Sequence, residues 1–256
     1  MPSAQMELLG KVAVITGGGS GIGRACSLAI ARQGADVVVA DIDDRGLEET
    51  LKRLTHLGSG RYLPLHADVG KDSDVRALAS DAIAAMGRVD LLLNNAGVVL
   101  EGSLEAISTD DWEWVLNVNL LGAVRGARAF LPHMLERGSG YIVNTAAVGG
   151  LLSDDPASIA YDTSTLAVVG FSRSLIRHVG ARGIGVSVLC PGELGPNGGG
   201  QAPTGQGRRK RTSGRLKDAT RLADRLVQGL RGEEFLILGH PGQRDAILEH
   251  WQDLEP

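Results

Sequence analysis

Thr16-Gly17-Gly18-Gly19-Ser20-Gly21-Ile22-Gly23 joins a β-branched run, Lys11 to Thr16, to an apolar-periodic run from Ile22 to Gln33. A pyrophosphate needs backbone N–H donors that approach without side chains in the way, and a helix N-terminus supplies them with a partial positive charge. Gly17 and Gly21 allow backbone angles that a Cβ would forbid. Gly23 lets the helix sit close on the sheet. Glycine turns also occur as plain turns, but one placed between a buried strand and a helix points to a nucleotide site. Asp41 ends the next apolar run, 24 residues after Gly17. A carboxylate there can accept hydrogen bonds from both hydroxyls of an adenosine ribose and repels a 2′-phosphate, which favours NAD(H) over NADP(H). The plainer reading of Asp41 is a turn residue in Asp41-Ile42-Asp43-Asp44.

The elements that must hold these residues alternate along the chain. Strands are expected over residues 11–16, 36–40, 61–65, 89–94, 140–146 and 185–190, with a shorter one over 234–238. Helices are expected over 22–33, 45–57, 73–86, 109–135, 158–181, 216–231 and 242–251, and the long 109–135 segment is expected to contain a bend or a helix pair. This alternation implies right-handed βαβ crossovers. The expected fold is α/β: one Rossmann-type, doubly wound parallel sheet with helices on both faces, spanning residues 1–256 as a single domain. Residues 192–214 break the pattern with eight glycines, two prolines and the run Arg208-Arg209-Lys210-Arg211. They read as a mobile loop, with 193–215 as a flexible, basic substrate-loop region.

Composition narrows the function classes. The 256 residues are 43% hydrophobic and 22% charged, ordinary for a soluble domain. The net charge of −4 gives no case for a nucleic-acid binder. No apolar run reaches the roughly 18–20 residues of a membrane helix, and no secretory signal pattern opens the chain. Two cysteines, Cys26 and Cys190, and six histidines without ligand spacing argue against disulfides or a metal site, so a reducing cytoplasm is the expected location.

Read together, these features resemble the short-chain dehydrogenase/reductase family over Leu9 to Gly192. The turn from Thr16 to Gly23 is similar to the family's TGxxxGxG motif, Asp68-Val69 to its adenine-contacting aspartate, and Asn94-Asn95-Ala96-Gly97 to its NNAG. Asn119 matches the asparagine of its catalytic tetrad, Tyr161 the tyrosine, and Pro191-Gly192 the PG beside the nicotinamide. The resemblance implies NAD as cofactor, held by Gly17, Ser20, Gly21, Ile22, Gly23, Asp41, Asp68, Val69, Asn95, Ala96, Gly97, Tyr161, Pro191 and Gly192. It implies hydride transfer between nicotinamide and a carbonyl or alcohol carbon. In such a site a tyrosine moves the proton, a lysine lowers its pKa and holds the nicotinamide ribose, and a serine hydrogen-bonds the substrate oxygen. An asparagine holds a water that links the lysine to solvent.

Two of those four positions depart from the pattern. Thr165 stands where the lysine is expected, four residues after Tyr161, and Ala147 stands at the serine position; a one-residue shift would give Val148, no better as a donor. A tyrosine at its usual pKa of about 10 is ionised to about one part in a thousand near neutrality. Threonine supplies a hydrogen bond but no charge. Losing a positioned acid–base group costs on the order of 10²–10⁴-fold, and losing an oxyanion donor about 10²–10³-fold. Thr145, two residues before Ala147, and Ser153, in the following loop, are candidate replacement donors. The chain has only five lysines against 21 arginines, and of these only Lys210 or Lys217 could reach in from the 193–215 region.

Six cations crowd residues 208–217. They read either as a solvated, disordered charge run or as a grip on an anionic substrate arm such as coenzyme A or an acyl carrier. Trp112 and Trp114 lie two apart on a helix, so one is expected in the core and one at an interface. Ala123, Gly126, Ala127, Ala167, Val168 and Phe171 could form a two-helix dimer face or belong to the chain's own core, and a homodimer or a hetero-oligomer with a related chain is expected. Three readings stay open: an NAD-dependent oxidoreductase on a small carbonyl/alcohol pair with impaired or atypical catalysis, an inactive subunit pairing with an active homologue, and a non-redox enzyme of dehydration or cyclisation using the same pocket.

Overall fold

Alternation of apolar residues along each strand splits the core into two layers. The structure is a computed structural model, and it describes residues 6–58, 60–147, 156–191, 208–211, 216–239 and 242–252. The main sheet contains β1 (Val12–Thr16), β2 (Asp36–Asp41), β3 (Tyr62–His66), β4 (Leu91–Asn94), β6 (Gly140–Thr145), β7 (Ile184–Cys190) and β9 (Leu236–Leu238). Its order is β3-β2-β1-β4-β6-β7-β9, and every pairing is parallel. This is the doubly wound Rossmann-type architecture expected from the sequence.

Ala13, Ile15, Val37, Val39, Leu91 and Leu93 face one side of the sheet. There they meet α1 (Gly21–Arg32), α2 (Asp44–Thr55) and α6 (Leu216–Arg231). Val12, Val14, Val38, Ala40 and Leu92 face the other side and meet α3 (Asp72–Met86), α4 (Thr109–Glu136) and α5 (Ile159–Val179). A last helix, α7, spans Gln243–Gln252. A sheet buried on both faces must be apolar at consecutive positions, which is why its strands read as unbroken β-branched and leucine runs.

The direction of winding reverses between β1 and β4. Crossovers leave β1 toward β2 on one side and continue from β4 toward β6 on the other, so a crevice opens at the carboxyl ends of these two strands. The glycine turn follows β1, and Asn95–Gly97 follow β4, so the fold itself brings the two motifs together.

Several sequence expectations need correction. Residues 109–136 form one continuous helix rather than a helix pair, with Pro132 one turn from its end. Proline is tolerated there because only one ladder bond is lost near a terminus. Two strands are additional: β5 (Val98–Glu101) and β8 (Arg208–Arg211), which pair antiparallel as a separate ribbon. The four-cation run expected to be part of a mobile loop is therefore a strand, fixed through its backbone to β5. The rest of the 193–215 region lies outside the described residues. Trp112 and Trp114 are both half-buried against the same small apolar cluster, with Val98, Leu100, Ile107, Val115 and Ala160, so neither is a fully buried core residue. Ala123, Gly126, Ala127 and Val168 are buried within the chain itself.

Candidate active site

The α1 N-terminus differs from those of α2 and α4. The α2 N-cap, Asp43, accepts from the Gly46 N–H at 3.1 Å, and the α4 N-cap, Ser108, accepts from the Asp111 N–H at 3.2 Å. Both helices also carry acidic residues in their first turn. The α1 N-cap, Ser20, makes no such capping bond, and the first turn of α1 has no acid. A helix start left this way presents donors and a positive end to an anion.

The glycines before it are sterically required. Gly17 and Gly21 adopt φ of +65° and +50°. A Cβ on Gly23 would lie 2.1 Å from the Gly17 carbonyl oxygen. Asp41 is 4% exposed; its carboxylate accepts the Gly19 N–H at 2.9 Å and the Asp43 N–H at 3.1 Å, which fixes it beside the turn. From the other side, Thr16 Oγ1 accepts the N–H groups of Asn95 (3.0 Å) and Ala96 (3.1 Å). Asn95 Nδ2 donates back to the Thr16 and Gly17 carbonyls at 3.0 and 3.3 Å.

These residues line an outer cavity of about 290 Å³: Gly17, Ser20, Ile22, Asp41, Asp68 and Val69, with Asn95 to Val98. Asp68 is held by the Gly70 N–H at 2.8 Å. The set fits the adenosine half of a dinucleotide. Donors sit at the helix end, a fixed carboxylate lies where ribose hydroxyls would donate, and apolar Ile42, Ala67 and Val69 border the space for a base.

A second, inner cavity shares Ile22, Asn95, Ala96 and Gly97 with the first, so the two form one cleft. The inner part is lined by Asn119, Thr145, Ala147, Tyr161, Thr165, Val168 and Pro191. Gly192 and Ser153 lie outside the described residues. The fold thus gathers, at one place, the tyrosine and asparagine read from the sequence and the two positions that depart from the family pattern.

Asn119 is fully engaged in fastening β5 to α4. Its Oδ1 accepts the Val98 N–H at 2.8 Å, and its Nδ2 donates to the Val98 carbonyl at 3.0 Å and to Ser164 Oγ at 2.9 Å. Thr165 is 4% exposed and turns its hydroxyl back to the Asp162 carbonyl at 3.1 Å. Among the described residues that line the inner cavity, none is lysine or arginine. Burial, and after it the neighbouring Asp162 charge, pushes the Tyr161 phenol well above its ordinary pKa. A cation at 165 would work in the opposite direction; threonine cannot. The arrangement can therefore donate a proton from Tyr161 but does not stabilise the tyrosinate.

Sequence reasoning missed the residues that brace the cleft. Arg24 hydrogen-bonds the Gly19 carbonyl and Thr50 Oγ1, the latter at 2.9 Å, and pairs with Glu49 at 3.1 Å. Thr50 itself donates to the Gly18 carbonyl at 3.0 Å. Beneath the inner cavity, Asn94 donates to Asn144 (2.8 Å) and Asn144 to Ser172 (2.9 Å). A polar residue inside an apolar strand or helix face, as at Asn144 and Ser172, was the available signal.

Comparison with known proteins agrees with this geometry. The short chain dehydrogenase family model matches residues 11–202. FabG of Thermotoga maritima, a 3-oxoacyl-(acyl-carrier-protein) reductase, is 33% identical over 187 residues, 73% of this chain and 75% of the relative. BbsD of Thauera aromatica, named as a subunit of a hydroxy(phenyl)methylsuccinyl-CoA dehydrogenase, is 37% identical over 187 residues, 73% of this chain and 74% of its own. The crystal structure of a short chain dehydrogenase/reductase from Burkholderia phymatum in complex with NAD superposes with a TM-score of 0.83 at 33% identity, covering 98% of this chain and 96% of that one.

Proposed function

The chain belongs to the short-chain dehydrogenase family, an oxidoreductase family, and on that premise we propose that it is an NAD(H)-dependent oxidoreductase of a carbonyl/alcohol pair with atypical proton chemistry. The observation that carries this reading is the single cleft with Asp41 at one end and Tyr161 at the other. NAD(H) bound along it supplies or accepts the hydride at the substrate carbon. The chain's residues do the rest. Ser20 and the α1 N-terminus hold the pyrophosphate, Asp41 accepts from the adenosine ribose and disfavours a 2′-phosphate, and Asp68 meets the adenine edge. Tyr161 gives a proton to the carbonyl oxygen in reduction. Its raised pKa leaves the base form that alcohol oxidation needs scarcer still, so oxidation suffers more than reduction.

We further propose that the substrate is carried on an anionic arm such as coenzyme A or an acyl carrier. Strand β8 brings four consecutive cationic residues alongside β5, and β5 begins at Val98, on the wall of the outer cavity and next to Gly97 where the two cavities meet. The names of FabG and BbsD both specify carrier-linked substrates.

The test starts with titrations of the purified protein against NADH and NADPH. Tight NADH and weak NADPH binding is expected; binding of neither defeats the reading. Acetoacetyl-CoA is then compared with ethyl acetoacetate in NADH-linked reduction. The thioester should be preferred, and the preference should shrink as salt screens the β8 charges. Equal use of both at all ionic strengths removes the anionic arm.

A second reading has specific support. Ala147 and Thr165 leave Tyr161 without its usual neighbours, and BbsD is named as one subunit of its enzyme. Tight NADH binding with no turnover, together with a related chain in the native complex, would assign this protein to an inactive, cofactor-binding subunit of a hetero-oligomer.

A further inference from the structure

Thr145 closes β6 at the rim of the inner cavity. Its Oγ1 is sealed from solvent and meets no hydrogen-bond partner, the only side-chain oxygen or nitrogen among the described residues in that condition. The next residue back shows how unusual this is. Asn144, on the opposite face of the same strand, is completely buried and has partners in both Asn94 and Ser172. A buried hydroxyl without a partner is unfavourable, and native structures tolerate few of them. The strand is held on both sides, by β4 and β7, so the hydroxyl leaves this unfavourable position by a turn about χ1, which exchanges it with the methyl group and brings it toward the cavity that the residue lines.

The cavity that Thr145 lines also holds Tyr161, Asn119 and Ala147. Ala147 stands two residues further along, so a side chain at 145 and one at 147 address the same space, and both line it. The position that would supply a hydroxyl in this family carries none, and a neighbouring hydroxyl is left unpaired. We propose that Thr145 is the hydrogen-bond donor to the reacting oxygen of the substrate, in place of the serine absent at 147. The proposal rests on the oxidoreductase reading. Its partner atom is the carbonyl or alcohol oxygen, which would receive one hydrogen bond from Thr145 Oγ1 and one from the Tyr161 phenol.

The probe is acetoacetyl-CoA with NADH, followed by NADH absorbance, on wild type, Thr145→Val, Thr145→Ser, Ala147→Ser and the Thr145→Val/Ala147→Ser double variant. Thr145→Val should lower kcat by about 10²–10³-fold with the NADH Kd unchanged. Its Tm should stay the same or rise, because no hydrogen bond within the protein is removed; a merely structural threonine would lower Tm instead. Thr145→Ser should keep most of the activity. Ala147→Ser should rescue Thr145→Val, so that the two sites are strongly non-additive. Wild-type turnover that survives Thr145→Val overturns the role of Thr145 alone. Absence of turnover in wild type and in Ala147→Ser alike overturns the oxidoreductase reading, and the Thr145 role falls with it.

Discussion

The Asp41 end and the Tyr161 end of the cleft share Ile22, Asn95, Ala96 and Gly97, yet they are built differently. At the Asp41 end the binding groups are mostly backbone: the α1 N-terminus, the glycine turn, and the N–H groups that fix Asp41 and Asp68. Side chains such as Arg24, Thr50 and Thr16 brace that backbone from behind. At the Tyr161 end the chemistry depends on a few side chains, and two of the expected ones are absent. A backbone site tolerates little change, because a Cβ at Gly17 would approach Ala96 Cα to 2.8 Å. A side-chain site can lose serine and lysine without disturbing the fold. On the proposed function, cofactor affinity and proton chemistry are expected to be separable in this protein.

The largest expected effect comes from restoring the Tyr161 end. Ala147→Ser/Thr165→Lys should raise kcat for NADH-linked reduction by about 10²–10⁴-fold, with NADH affinity little changed. The pH profile gives a second readout. With the Tyr161 pKa raised, its base form is populated only above the ordinary tyrosine value of about 10, so alcohol oxidation by wild type should climb with pH without levelling off below that value. Lysine at 165 should bring the plateau to lower pH. The same raised pKa favours the folded state at pH values below the ordinary one, and that contribution fades as pH rises through the folded value. A double variant with no gain would show that the inner cavity differs in more than these two positions.

A smaller effect is expected at the other end. Asp41→Asn keeps an acceptor for the Gly19 N–H but loses the charge. Hydrogen bonds to a charged group contribute about 1.5–3 kcal/mol, so the NADH Kd should rise by roughly 10- to 150-fold while NADPH binding improves. Titration of both cofactors reads the two shifts directly. Turnover of bound cofactor should stay near wild type, since Asp41 is absent from the inner cavity. A fall in kcat with unchanged Kd would contradict the separation of the two ends.

Legibility in the sequence followed the same division. The glycine turn, Asp41 and the Asn95–Gly97 segment could be placed because each lies at the end of a buried strand whose apolar run is unmistakable, and strand ends define the crevice; Asp68 follows the half-buried edge strand β3 and was placed by the resemblance of Asp68-Val69 to the family's motif. Thr165 could be located by its distance from Tyr161, and Ala147 by aligning Asn144-Thr145-Ala146-Ala147 with the family's strand end. The pairing of β5 with β8 could not be read, although Val98-Val99-Leu100 is a fair strand signal. Its partner, Arg208–Arg211, has no apolar pattern, and an antiparallel contact across more than a hundred residues leaves no local trace. The unpaired state of Thr145 Oγ1 was equally invisible, because it depends on what the surrounding chain fails to offer.

Asp90 tests whether the two ends act locally or through the common sheet. It precedes the central strand β4, at the amino ends of the strands and so remote from the cleft at their carboxyl ends, and is 3% exposed. It accepts from the Val12 N–H at 3.0 Å, from Arg88 Nε at 2.8 Å and from Arg137 Nη2 at 2.8 Å. Burial pushes its carboxyl pKa up, but the hydrogen bonds from Arg88, Arg137 and Val12 outweigh burial and leave it below the ordinary 3.8. A depressed carboxylate stabilises the fold at pH values above its unfolded pKa, and that contribution is lost as pH falls through the folded value. Asp90→Asn should therefore cost about 1–3 kcal/mol at neutral pH, toward the lower figure because Arg88 is 41% exposed and solvent screens it. It should also flatten the acid limb of a stability-against-pH curve measured by denaturant unfolding. The NADH-to-NADPH preference and the kcat of the remaining folded protein should not move. A change in either would mean that the strands transmit strain from their amino ends to their carboxyl ends, and the two ends of the cleft could no longer be treated as independent.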